Sequence, residues 1–177
     1  TKNLERWSRD GENLKSLMED LGYVVELQFA DNKVEQQNSQ IQTMINKSPA
    51  VIVVGSIDGS ALGPVLETAS GLGVKVIAYD RLIRDTKAVD YYVIFDNYNV
   101  GALQGRYIVD ALDLDHTAGP FNFEPFAGSP DDNNARFFFA GAWDVLTPYI
   151  SSGKLVCPSG KLPASVDDWQ SIGIQAW

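Results

Sequence analysis

One cysteine and one histidine stand in this chain of 177 residues. The lone Cys157 forms no disulfide within the chain, and it says little about compartment, since many exported proteins have none. The lone His116 removes histidine-rich metal sites and leaves little for a Ser/His/Asp or Cys/His enzyme. No apolar run approaches the roughly 20 residues that a membrane-spanning helix needs. Thr1 to Trp7 carry no apolar stretch of the signal-peptide kind, so an exported form would already have lost its signal. Basic residues are scarce, 14 against 23 acidic, for a net charge of −9. That sign repels phosphate backbones and offers no polybasic membrane patch, which excludes nucleic acid as the expected partner. What is present is a 45% hydrophobic, 21% charged composition, the balance of a soluble acidic protein with a core. The length suits one ordinary domain or two small lobes. Nothing in the composition calls for a cofactor or a metal.

Helical and strand patterns alternate at short intervals. Leu4, Trp7, Leu14, Leu17, Met18 and Leu21 recur at helical spacing, with Gly22 at the C-terminal stop. Residues 24–29 read as a strand. A polar helix follows over 34–46, with Ile41, Met44 and Ile45 on one face. Ala50 to Val54 is a continuous β-branched run, the mark of a strand covered on both faces. Residues 60–72 read as a helix with Ser60 as its N-cap, and 74–79 and 91–95 as further strands. The alternation predicts βαβ units, a parallel sheet and helices on both of its faces. It restarts after Asn97 with a helix over 100–112, a strand over 121–127, a helix over 133–150 stopped early by Pro148, and a short strand near 154–157. Residues 1–97 are therefore expected to form one lobe and 98–177 the first part of another. A parallel sheet normally opens on a strand, whereas this chain opens on a helix and closes on Trp177, so it is expected to be part of a longer protein.

Ligands of open parallel sheets sit beyond the carboxyl ends of the strands. Asp80-Arg81, Asp96-Asn97 and Gly128-Ser129-Pro130-Asp131-Asp132-Asn133-Asn134 fall at such ends, and Arg6-Trp7 opens the first helix. Asp accepts hydrogen bonds, Arg donates through a rigid fork and Asn does both, while an aromatic ring covers a C–H face. That set suits a neutral polyol. Each member also has a plainer use. Asp80-Arg81 could be a surface ion pair, Asp131 to Asn134 could cap the next helix, Arg6 could lie along its helix, Trp7 could be core, and His116 could be solvated. Gly55 to Ser60 lacks the Lys-Ser/Thr ending of a phosphate loop and reads as a strand-to-helix turn.

In family-like order stand Glu5-Arg6-Trp7, Gln40-Ile41 with Met44-Ile45-Asn46, Ala78 to Ile83, Phe95-Asp96-Asn97, Val100-Gly101, Gly128 to Ala135, and Leu146 with Pro148-Tyr149-Ile150 and Ser152 to Val156. With these the chain resembles the periplasmic sugar-binding proteins of ABC importers with the type I fold, and within them the xylose-binding and multiple-sugar-binding receptors. The resemblance implies two doubly wound α/β lobes joined by hinge strands and closing on one monosaccharide. It implies Arg6, Asp80, Arg81, Asp132 and Asn134 as polar sugar ligands, Trp177 as a stacking residue and Trp7 as a neighbour of the site. It also implies about twice this length, an opening strand absent here, and no catalysis. Residues 161–170 match poorly.

The resulting reading is a non-enzymatic, extracytoplasmic receptor, free in a periplasm or lipid-anchored at the cell surface and monomeric when full length. It binds an aldopyranose such as xylose, glucose or galactose and hands it to a membrane permease. The alternative is the sugar-sensing domain of a transcription regulator, which would need a basic DNA-binding segment. A glycosidase using Asp96, Asp131 or Asp132 is the third reading, and the amide and arginine neighbours of these residues argue against a raised-pKa acid.

Overall fold

A parallel sheet needs crossovers, and the computed structural model, which describes residues 5–130 and 132–173, has them. Its described residues divide between Val93 and Ile94 into two compact units. The first contains α1 (Glu5–Asp20), α2 (Val34–Ile45), β1 (Val51–Val54), α3 (Gly63–Gly71), β2 (Lys75–Tyr79) and β3 (Tyr91–Val93). The strands lie side by side in the order β1-β2-β3, all parallel, with Val54 opposite Ala78 and Tyr79 opposite Val93. Ile52, Val54, Val76 and Ala78 point to one face, where they meet Ile41 and Ile45 of α2 and Val65, Leu66 and Ala69 of α3. Leu62, Leu66, Val76 and Ala78 have no exposure at all, so this face is the core of the unit.

Three expectations need correction here. The β-branched run at β1 is not covered on both faces: its burial alternates, and Val51 and Val53 remain 45% and 43% exposed. Among the described residues, α2 and α3 pack on one side, and α1 reaches the other at its carboxyl end, where Tyr79 meets Asp10. Residues 24–29 form no ladder, because a strand exists only through a hydrogen-bonded neighbour and none is present for them among the described residues. Side chains take their carbonyls instead: Lys15 donates to Val25 and Gln40 to Phe29, while Leu27 and Phe29 close on Gly11 of α1. The third helix starts at Gly63, not Ser60. Pro64 sits in its first turn, where the missing N–H costs nothing, and Ser60 lies in the preceding turn with its N–H on Asp58.

Asp90 fastens β2 to β3. One carboxylate oxygen accepts from the Val76 N–H at 2.9 Å and the other pairs with the Lys75 ammonium at 2.6 Å, while the Asp90 N–H returns to the Val76 carbonyl. The Lys75 bond, and then the Val76 N–H, hold the Asp90 carboxyl below its ordinary value of 3.8. A depressed carboxyl contributes stability above its unfolded-state value and loses it as pH falls through the folded one. Unfolding midpoints measured from pH 6 down to pH 2 should therefore fall across the acid limb, and the fall should be shallower in Asp90→Asn. An unchanged acid limb would remove Asp90 from this role.

The second unit holds α4 (Asn97–Ala111), β4 (Phe121–Asn122), α5 (Asn133–Ser151), β5 (Leu155–Val156) and a 3-10 turn at Val166–Ile172. β4 and β5 are parallel, and Ala127 makes an isolated parallel bridge to Gly173. The strand expected over 121–127 is thus paired at its start and bridged again only at Ala127, and Pro125, which has no N–H, stands in the gap. α4 begins a turn earlier than expected, because Asp96 caps it by accepting from the Asn99 N–H. α5 runs through Pro148 to Ser151 rather than stopping there.

Glycine sets the distance between α4 and α5. A Cβ on Gly101 would lie 2.0 Å from the Phe138 carbonyl oxygen, and one on Gly141 would lie 2.0 Å from that of Tyr98. Both obstacles are backbone and cannot rotate away. Gly101→Ala should therefore destabilise the fold by roughly 1–3 kcal/mol, the cost of overpacking, despite alanine's better helix propensity. Urea denaturation checks this, and an equal or raised midpoint would contradict it.

Candidate functional site

The carboxyl end of β2 carries a residue in an unusual conformation. Asp80 has φ = +64°, a left-handed geometry that only Gly, Asn and Asp adopt with ease. β3 holds it there: the Asp80 N–H donates to the Val93 carbonyl at 2.9 Å, and the Tyr92 hydroxyl donates to the Asp80 carbonyl at 3.2 Å. The residue is buried, and its carboxylate forms an ion pair with the Arg6 guanidinium from the first turn of α1. Arg6 also donates through Nε to Asp10, one helical turn on, at 3.4 Å.

Trp7 lies under two cations. The Arg6 guanidinium is 4.9 Å and that of Arg81 5.7 Å from its ring centroid, both within cation–π range. The ring also rests on the loop after β1, where a Cβ on Gly55 would come within 3.1 Å of it. Arg81 reaches back to the same loop and donates from Nη1 to the Ile57 carbonyl at 3.2 Å. For Arg6, burial works against the charged form, but the bond and charge of Asp80, followed by those of Asp10, outweigh it and raise its pKa. Burial, then the Asp10 charge, raises that of the Tyr79 phenol.

The structure thus brings Arg6, Trp7, Asp80 and Arg81 into one cluster. Asp80 pairs with Arg6 across 74 residues rather than standing as an isolated surface pair with its chain neighbour. Arg6 is ion-paired both along its helix, with Asp10, and across to Asp80, and Trp7 is half-buried at the cluster rather than in the core. Sequence reasoning missed Asp10, Tyr79 and Tyr92. The i, i+4 spacing of Arg6 and Asp10 on one helix is the signal that could have found the first. Two arginines and two aspartates leave the cluster formally neutral, with guanidinium donors, a carboxylate acceptor and an indole face together. Such a set can hold hydroxyls, but it has no surplus charge for an anion.

The second unit holds Asp132 and Asn134, both buried. Asp132 caps α5, accepting from the Asn134 N–H at 2.9 Å, so the capping use weighed from sequence is present. Asp96 caps α4 in the same way. Asp131 and Trp177 lie outside the described residues. His116 is exposed and bonded to Asp113. Among the described residues no group of His, Cys, Asp and Glu is arranged to hold a metal, and no helix is long and apolar enough to cross a membrane.

The periplasmic binding protein domain matches residues 2–175. The chain belongs to the periplasmic binding protein family. It is 54% identical over 162 residues to the multiple sugar-binding periplasmic protein SbpA of Azospirillum brasilense, covering 92% of this chain and 45% of that protein. It is 41% identical over 152 residues to the D-xylose-binding periplasmic protein of Escherichia coli, covering 86% and 44%. A solved ABC transporter solute-binding protein from Clostridium phytofermentans with bound β-D-glucose superposes with a TM-score of 0.91 at 49% identity, covering all of this chain and 53% of that one. The chain spans about half the length of the curated relatives it matches. Its fold is the parallel α/β fold of type I periplasmic binding proteins, of which it is a part.

If Asp80 and Arg6 hold each other in this family member as the geometry indicates, their substitutions should not be additive. A double-mutant cycle with Arg6→Gln and Asp80→Asn should give a coupling of about 0.5–1.5 kcal/mol in urea denaturation, modest because Arg6 is half-exposed. Additive effects would leave the pair without energetic weight.

Proposed function

We propose that the protein is a non-enzymatic extracytoplasmic receptor that binds one neutral monosaccharide and delivers it to an ABC permease. Residues 1–97 would be its N-terminal lobe and 98–177 the first part of its C-terminal lobe. Arg6, Asp80 and Arg81 would bond ring hydroxyls, with Trp7 beside them, while Asp132, Asn134 and Trp177 would contribute from the second lobe. The observation that carries the reading is the cluster of Arg6, Trp7, Asp80 and Arg81 at the carboxyl end of β2, formally neutral once Asp10 is counted with it. The names of the relatives support it: multiple sugars for SbpA, D-xylose for the Escherichia coli protein and β-D-glucose in the Clostridium phytofermentans structure.

A charge-neutral site distinguishes an aldose from its phosphate ester. Titration calorimetry with D-glucose, D-xylose and D-galactose should show binding of at least one, with glucose 6-phosphate much weaker. A hydroxyl bond to a charged partner is worth about 1.5–3 kcal/mol, so Asp80→Ala should weaken that sugar by roughly one to two powers of ten. No heat with any neutral aldose, or tighter binding of the phosphate, would overturn the reading.

A further inference from the structure

The polar face of α2 is placed where the site needs support. The loop after β1 carries two groups that the cluster uses: Gly55, against which the Trp7 ring lies, and the Ile57 carbonyl, which accepts from Arg81. The side chain between them does not fix this loop. Ser56 is buried, and its hydroxyl has no hydrogen-bond partner among the described residues. The far half is held elsewhere, with the Ser60 N–H on Asp58 and the Gly59 carbonyl accepting from the Arg84 N–H. The near half is held by Gln37 of α2. Its Nε2 donates to the Gly55 carbonyl at 3.0 Å and its Oε1 accepts from the Ile57 N–H at 3.0 Å.

A primary amide suits this place. It offers a donor and an acceptor side by side, as a peptide group does, and so fixes the loop backbone at two points. It is also uncharged, so it braces Arg81 without disturbing the balance of two cations and two carboxylates. From this geometry we infer that Gln37 is a positioning residue for the sugar site: it acts through the 55–57 backbone to set where Arg81 and the Trp7 ring stand. The inference rests on the proposed sugar-binding role of the cluster, but its structural half can be read without any sugar.

The test compares Gln37→Met, which keeps the length and removes both bonds, with Gln37→Glu and with Gln42→Met on the exposed side of the same helix. The protein is labelled with 5-fluorotryptophan, the Trp7 resonance being assigned through Trp7→Phe. Gln37→Met should move that resonance and speed Ile57 amide exchange about tenfold, and in calorimetry it should weaken D-glucose about three- to tenfold, the loss expected from two hydrogen bonds felt indirectly. In Gln37→Glu the carboxylate repels the Gly55 carbonyl. The protonated acid can again donate to that carbonyl and accept from the Ile57 N–H. Its Trp7 resonance should thus return toward that of the wild type, measured at the same pH, as pH falls through the carboxyl range near 4. A structural role unconnected with this bond pattern would not give that recovery. Wild-type resonance and exchange in Gln37→Met, or equal changes in Gln42→Met, would overturn the inference. If the wild-type protein takes up no sugar, the proposed function fails, while the resonance and exchange measurements still decide the role of Gln37.

Discussion

Asp80 ties the first turn of the opening helix to the end of a strand 74 residues later, and the described part of the site depends on that tie. The left-handed turn at this residue does two things. It ends β2, and it buries a carboxylate where Arg6 can meet it. The backbone strain is offset by two bonds from β3, one to its own N–H and one to its own carbonyl. Arg6, once fixed, lies over Trp7, and Trp7 in turn covers the Gly55 loop. Sheet, helix and loop thus reach the site through one buried charge.

Much of this arrangement is legible in the sequence. β2 and β3 announce themselves by β-branched and aromatic runs, and the Asp-Arg pair follows β2 where a parallel sheet places its ligands. The limits have physical causes. Residues 24–29 have the composition of a strand, but a strand is a relation between two segments, and composition describes only one. Val51 and Val53 look like core because β-branched residues suit any pleated surface, buried or not. Pro148 looks like a stop, yet a helix whose neighbouring turns are packed can carry a proline through. Gln37 was invisible for another reason: in the run Val34 to Ile45 its amide is one among several, and which amide faces a loop is decided by tertiary packing.

The helix pair α4–α5 shows how firmly small residues can fix a geometry. Gly101 and Gly141 each approach the opposite helix at a carbonyl, so contact there is backbone against backbone. No rotamer change can alter the spacing. Side chains elsewhere on the pair, such as Val145 against Gly105, adapt to a distance that has already been set.

The charge balance around Trp7 has a consequence for kinetics. A cluster with two cations and two carboxylates projects little field beyond its own dimensions, and an uncharged solute would feel neither it nor the net charge of −9 on the chain. Encounter would then be governed by diffusion and access alone. For the receptor proposed above, the association rate would stay the same whether the surrounding medium is fresh water or brine.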